Sequence, residues 1–352
     1  MDSAPTAVTA HLAALLPSLG ADAAAGARLL HDRRMAALWA SLDATPGLAL
    51  TPVRGPGAGR LYDLLGESDA GRWALAISAS DDATLAMAAA TGLGGRLRSL
   101  VVNALLGDAL ERLAALALPG ARIVALAPST ATPPPDEHWC ALRRDGAELC
   151  RIAVRTLAAN VADALRAARQ PLAGASGWRG GMRLAGAVVV AERRLSITLL
   201  RSLEVGDVVL LPGTSTTLDG ASGALCIRAS TGTSLGAPGR LEGDAITLLE
   251  GLRTMDPDTL PPAATAAAAD SLGELELPLR FEIETVSIAL ADLEAIEPGY
   301  VIEFDTPVSQ ARLRLVSCGL VIGEADLIAV GNRLGARITH LVPRHESEQQ
   351  RG

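Results

Sequence analysis

The stretch Leu277–Leu341 decides the reading of this chain: LPLRFEI at 277–283, LEAIEPGYVIEF at 293–304 and ARLRLVSCGLVIGEADLIAVGNRLGARITHL at 311–341. Leu277, Leu279, Phe281 and Ile283 alternate with Pro278, Arg280 and Glu282, and Leu313 and Leu315 alternate with Arg312 and Arg314. That period of two belongs to strands with one buried face. Leu293 and Ile296, three apart, make one helical turn over 292–296, which Pro298-Gly299 stops. Gly331-Asn332 then signals a tight hairpin ahead of a last strand over 334–339.

The order L-x-x-I-x-x-G (Leu293, Ile296, Gly299), V-I-E-F, C-G-L-V-I-G with its Gly323, and R-L-G-A-R-I-T (Arg333, Gly335, Arg337) resembles the SPOA module of FliN-type flagellar switch proteins and type III secretion ring proteins. Ala325-Asp326 departs from the Gly-Glu usual in that family.

The same pattern occurs a second time. LRSLEVGDVVLL at 200–211 matches LEAIEPGYVIEF at 293–304 with a constant offset, Gly206 falling on Gly299, 93 residues later. Under that offset Leu200 meets Leu293, Leu203 meets Ile296, and Val188 and Val190 meet Phe281 and Ile283. The first copy keeps strand-like C-I-R and A-I-T-L-L segments but lacks the R-L-G-x-R-I-T ending. The expected organisation is an α+β chain: a divergent α/β amino-terminal domain at 1–175, a first SPOA-like module at 180–250, a Pro/Ala-rich linker at 251–275, a second module at 276–343 and a polar tail at 344–352. A module of about 70 residues with so few aromatics buries too little surface alone, because small domains bury only about 60% of their chain's area. Pairing would share the apolar faces and cover strand edges. The resemblance implies an intertwined, barrel-like SPOA–SPOA dimer, which two modules in one chain can form with each other.

Within 1–172 the expectations are a helix over 22–44 with Met35, Leu38, Trp39 and Leu42 on one face, and a strand through Trp73, Leu75 and Ile77. A short helix capped by Asp81-Asp82, a long helix over 96–118, a strand at 121–127, a hairpin of 138–144 and 147–155 about Asp145-Gly146, and a helix at 156–169 follow.

Composition narrows the function. All 31 basic residues are Arg, so a Walker A lysine or a Schiff-base lysine is excluded. A net charge of −8 is the wrong long-range field for nucleic acid or an anionic membrane. No run approaches the roughly 20 uncharged apolar residues of a spanning helix, so no direct membrane insertion is expected. Cysteines at 140, 150, 226 and 318 form no C-x-x-C pair, as in reduced cytoplasmic proteins. His138, Cys140 and Cys150 lack a fourth ligand at zinc-motif spacing, so no metal and no cofactor are expected. Gly55, Gly57 and Gly59 fail the dinucleotide spacing.

Two modules behind an amino-terminal domain are similar to the cytoplasmic-ring, or sorting-platform, proteins of type III secretion (the HrcQ/YscQ family). The resemblance implies a non-catalytic scaffold at the cytoplasmic face of the inner membrane. Its partners would be the stator protein of the secretion ATPase, a ring accessory protein, effector–chaperone complexes and further SPOA copies. The alternatives are a flagellar motor switch protein and a CheC-like phosphatase; the latter needs a Glu-Asn pair, and Asn103, Asn160 and Asn332 follow Val, Ala and Gly. In flagellar relatives a patch after the Gly-Glu element engages the stator, and the matching positions are Leu327, Ile328 and Ala329. Adjacent strand residues face opposite ways, so Ile328 is the expected exposed member. Met255, at the head of the linker, is a candidate internal start that would release a free second module.

Overall fold

The computed structural model describes residues 12, 16, 18–35, 38–40, 48–53, 55–79, 94–130, 132–133, 138–170, 179–212, 221–228, 234–255, 272–331 and 333–342. Two antiparallel sheets account for the strands. The first is built from β1 (Leu48–Val53), β2 (Arg60–Ser68), β3 (Gly71–Ala79), β4 (Arg122–Pro128), β5 (Trp139–Arg144) and β6 (Ala147–Leu157), in the order β1-β5-β6-β3-β2-β4. Helices α1 (Ala21–Leu30), α2 (Gly95–Leu105), α3 (Gly107–Leu116) and α4 (Ala159–Ala167) accompany it. The β5–β6 turn places Asp145 and Gly146 at φ 51° and 83°, the positive values a two-residue hairpin of this kind requires. On edge strand β4, Asn103 of α2 donates to the Ile123 carbonyl and accepts from the Ile123 amide, so part of the strand's outer row is satisfied by a side chain.

Several expectations for this half change. The helix expected over 22–44 is interrupted after Leu30, because Asp32 is drawn into a bridge with Ile296 and into ion pairs with Arg34 and Arg169; residues 38–40 are helical again, and 36–37 and 41–44 lie outside the described residues. A 3-10 turn, Arg33–Met35, follows. The helix expected over 96–118 is two, with the break at Leu106, and the helix expected at 156–169 begins only at Ala159 because Thr156 and Leu157 close β6. The Asp81-Asp82 cap lies outside the described residues.

The second sheet has 11 strands. The first repeat supplies β7 (Arg183–Ser196), α5 (Ile197–Ser202), β8 (Val208–Leu210), β9 (Ala221–Arg228), β10 (Ser234–Leu241), β11 (Ala245–Leu248) and β12 (Arg253–Met255). The second supplies β13 (Glu276–Ala289), α6 (Leu290–Ala295), β14 (Val301–Glu303), β15 (Arg312–Ser317), β16 (Leu320–Val330) and β17 (Arg333–Leu341). An offset of 93 carries β7, α5 and β8 onto β13, α6 and β14 residue for residue. Gly206 and Gly299 fall at φ 102° and 96°, a left-handed turn that glycine adopts without a Cβ clash.

The strand order β14-β11-β10-β9-β7-β13-β15-β16-β17-β8 reads as a pseudo-twofold object whose seam is the antiparallel β7–β13 pair, running from Glu276↔Ser196 to Ala289↔Arg183. Each repeat lends its short strand to the other. β8 pairs with β17 (Ala336↔Val209), and β14 pairs with β11 (Ile246↔Ile302). The pairing is therefore intertwined within one chain; among the described residues the path is open, with β14 and β8 at its ends, and no closed barrel is seen. One core spans both repeats, with Val188, Val190, Leu225 and Ile246 packed among Phe281, Ile283, Leu315 and Ile338. Of the stretch 251–275, Arg253–Met255 extends the sheet against β10 and Leu272–Glu274 forms a 3-10 turn. No helix among the described residues is long and apolar enough to cross a membrane.

Candidate functional site

The two ends of this sheet have different environments. At the β14 end, α1 lies on the outer face: Ala24 and Ala27 pack with Val301 and Ala245, and Arg28 pairs with Glu303 at 2.8 Å. The same helix reaches back to the first sheet through Gly26, where a Cβ would sit 2.6 Å from Val154.

At the β8 end the equivalent positions are Val208 for Val301, Leu210 for Glu303 and Gly335 for Ala245, as the matching registers require. None of the described helices covers them. Val208 is 45% exposed, Leu210 36% and Val330 38%. They surround Gly335, whose Cβ, if present, would meet Val330 and Val208 at 3.1 and 3.2 Å and Ile328 at 3.6 Å. The arrangement is a shallow apolar patch beside the edge strand β8, with a glycine floor on the neighbouring β17, rimmed by the exposed Arg337–Asp326 pair. A contiguous exposed apolar patch of this kind marks an interaction site.

Leu327, Ile328 and Ala329 divide as a pleated strand dictates. Leu327 is buried in the shared core, Ala329 is half-buried on the same side, and Ile328 is half-buried on the outer side within the patch. Arg333 and Arg337 are exposed, while Gly323 and Gly335 are buried against neighbouring strands. Met255 is the last residue of β12, paired across from Ser234. Val208, Leu210 and Val330 were not anticipated as part of the patch; the only signal was the V-V-L-L run of the first copy, which reads as core until the strand exchange is known.

Residues 270–343 match the family described as Type III flagellar switch regulator (C-ring) FliN C-term. The chain therefore carries a FliN-like C-ring domain, a structural scaffold type, over β13 to β17. Comparison of the whole chain with curated proteins gave no match.

One cluster of metal-capable side chains stands apart from this patch. His138 and Cys140 do not meet Cys150; they meet His31, from the end of α1, and the three ligand atoms lie within 4.8 Å of one another. Burial holds both imidazoles neutral, His31 pushed down to about 4 and His138 to about 3, the latter also because a proton there would be repelled by Arg240 and by His31 if it too were protonated. Burial likewise pushes the Cys140 thiol up to about 12.

Proposed function

We propose that this chain is a non-catalytic subunit of the cytoplasmic ring, or sorting platform, of a type III protein secretion apparatus, similar to the HrcQ/YscQ proteins. It would have an amino-terminal unit at 1–175, SPOA-type repeats at 180–250 and 276–343 and a connection between them. The observation that carries this reading is the intertwined pair of repeats with one end covered by α1 and the other bare. The bare end would receive the stator protein of the secretion ATPase, seated on Ile328, Val330, Val208 and Leu210 about Gly335. Effector–chaperone complexes and a ring accessory protein would use other surfaces of the same scaffold, held at the cytoplasmic face of the inner membrane. A free second repeat, started at Met255, would pair with further copies through the same strand exchange. A flagellar switch role shares the FliN-like domain; two repeats in one chain behind an α/β unit favour the secretion reading.

The test is calorimetric titration of the full chain with the stator protein of the secretion ATPase from the same organism. Ile328→Asp should abolish binding and leave the circular dichroism spectrum intact, because a carboxylate left in a desolvated contact without a partner is costly, whereas in water it is not. Unchanged affinity refutes the assignment. Leu327→Asp is the contrasting variant, since it places the charge in the core and should unfold the sheet.

A further inference from the structure

We propose that His31, His138 and Cys140 form a binding site for a thiophilic transition-metal cation, of the zinc or copper(I) class, at the junction between the first sheet and the FliN-like sheet.

The backbone places the three groups. His138 immediately precedes β5 and Cys140 is its second residue; two apart in extended chain, they lie on the same side of the strand. His31 comes from the residue that ends α1, 109 positions before Cys140. Its Nε2 lies 2.9 Å from the Cys140 Sγ, and its ring meets that of His138 edge-on, with centroids 5.6 Å apart. All three are buried, at 2%, 6% and 0% exposure. Neither ring nitrogen of His138 has a hydrogen-bond partner.

Buried polar groups without a partner are rare, because each forfeits the hydration it had in the unfolded chain. A buried imidazole with a ring nitrogen within 4.8 Å of a thiol sulfur and a second imidazole nitrogen has the chemistry of a metal ligand. Two imidazole nitrogens and one thiolate are the donor set that zinc and copper(I) favour over magnesium or calcium. Copper(I) accepts three ligands, and zinc completes a tetrahedron with one water. Binding releases one proton, from the Cys140 thiol to solvent; both imidazoles are already neutral and each offers a lone pair without losing a proton. The His31–Cys140 contact, at 2.9 Å, must open by about 0.6–0.8 Å, since ligands about 2.0 and 2.3 Å from one ion at a tetrahedral or trigonal angle stand about 3.5–3.7 Å apart. Arg240, the guanidinium that acts electrostatically on His138, is already paired with Glu242 at 3.2 Å.

The second sheet is part of the site. Gly299 lies flat against the His31 ring, where a Cβ would be 2.5 Å from Nε2, while at its repeat equivalent, Gly206, a Cβ would meet nothing within 4 Å. The Glu297 amide donates to the His31 carbonyl, and Asp32 bridges Ile296. A bound ion would therefore tie β5 of the first sheet, through His31, to the turn that leads into β14.

The experiment uses the full chain, reduced and stripped with chelator. Equilibration with zinc chloride followed by desalting and elemental analysis should retain one zinc per chain, and cobalt(II) should produce a near-ultraviolet thiolate-to-cobalt band. A parallel copper(I) titration against a colorimetric chelator shows which cation is preferred. Cys140→Ser should lose the band and the retained metal, and His138→Gln should weaken both. A triple variant, Cys150→Ser, Cys226→Ser and Cys318→Ser, leaves Cys140 as the sole thiol and should keep the band even if Cys140→Ser fails to fold. No retained metal in the wild-type chain, or a band that is absent from the triple variant, overturns the proposal.

Discussion

Phe281→Ala tests whether the two repeats are one folding unit. Phe281 has no exposed surface; it lies on seam strand β13, opposite Ala191 of β7 on one side and Leu315 of β15 on the other, and its core neighbours come from both repeats. Deleting a buried phenyl ring costs the lost transfer free energy plus a cavity, about 3–5 kcal/mol. Against a typical total of about 5–15 kcal/mol this is a fifth or more of a domain's stability. At about 1–3 kcal/mol per molar urea the unfolding midpoint should fall by roughly 1–5 M. Two probes separate the sheets. In a Trp178→Phe background the remaining tryptophans, Trp39, Trp73 and Trp139, belong to the first sheet and its core, so their fluorescence reports the first half, whereas far-ultraviolet circular dichroism reports both. The expected result is a single displaced transition for the whole second sheet by circular dichroism. Two separate transitions within the fragment-free chain, one of them unmoved by Phe281→Ala, would refute a shared core.

Cleavage at a protease site inserted among residues 256–271 should leave two fragments that co-elute without denaturant, since each holds a strand of the other's half; separate elution would count against the exchange. Gly299→Ala should destabilise more than Gly206→Ala when thermal midpoints are compared, because both incur the positive-φ cost of about 1–2 kcal/mol but only the former drives a methyl into His31. Equal losses would mean that the His31 contact relaxes freely. Glu242 accepts from Thr247 and Arg240, yet burial, the largest influence, raises its carboxyl above the usual range. A carboxyl with a raised folded-state pKa favours the fold most below its unfolded value near 4.5 and loses that contribution as pH rises through the folded value. Glu242→Gln should therefore gain stability relative to wild type at pH 7 and lose that gain near pH 4; a gain independent of pH would reject the linkage.

The elements legible in the sequence were those whose side chains obey a short period. Leu279, Phe281 and Ile283 announce β13, Gly331 announces the β16–β17 turn, and Asp145-Gly146 announces the β5–β6 hairpin. The repeat was legible too, through Gly206 and Gly299. Strand exchange was not, because V-V-L and V-I-E carry the same pattern whichever copy's sheet they join; the choice is made by the core that both repeats fill. The first sheet was only partly legible: β1 contains Pro52, and β2, with Gly66 and few β-branched residues, gives no strong strand signal. His31 could not be assigned to His138 and Cys140, since the fold, rather than any spacing, brings residues so distant in the chain together. Ile328 was separable from Leu327 by alternation alone, whereas Val208 and Leu210 reached the patch only through the exchange.

The helix that seats on β14 gives the second sheet a front and a back. Internal twofold symmetry would otherwise make its two ends interchangeable, and copies could join end to end in either sense. With one end stoppered by the chain's own Ala24 and Ala27 and the other left open at Val208 and Leu210, the object has a direction. Copies that assemble through that open end must do so with a common polarity or stop at two, and the α1 plug is the part that decides which surfaces remain to be joined.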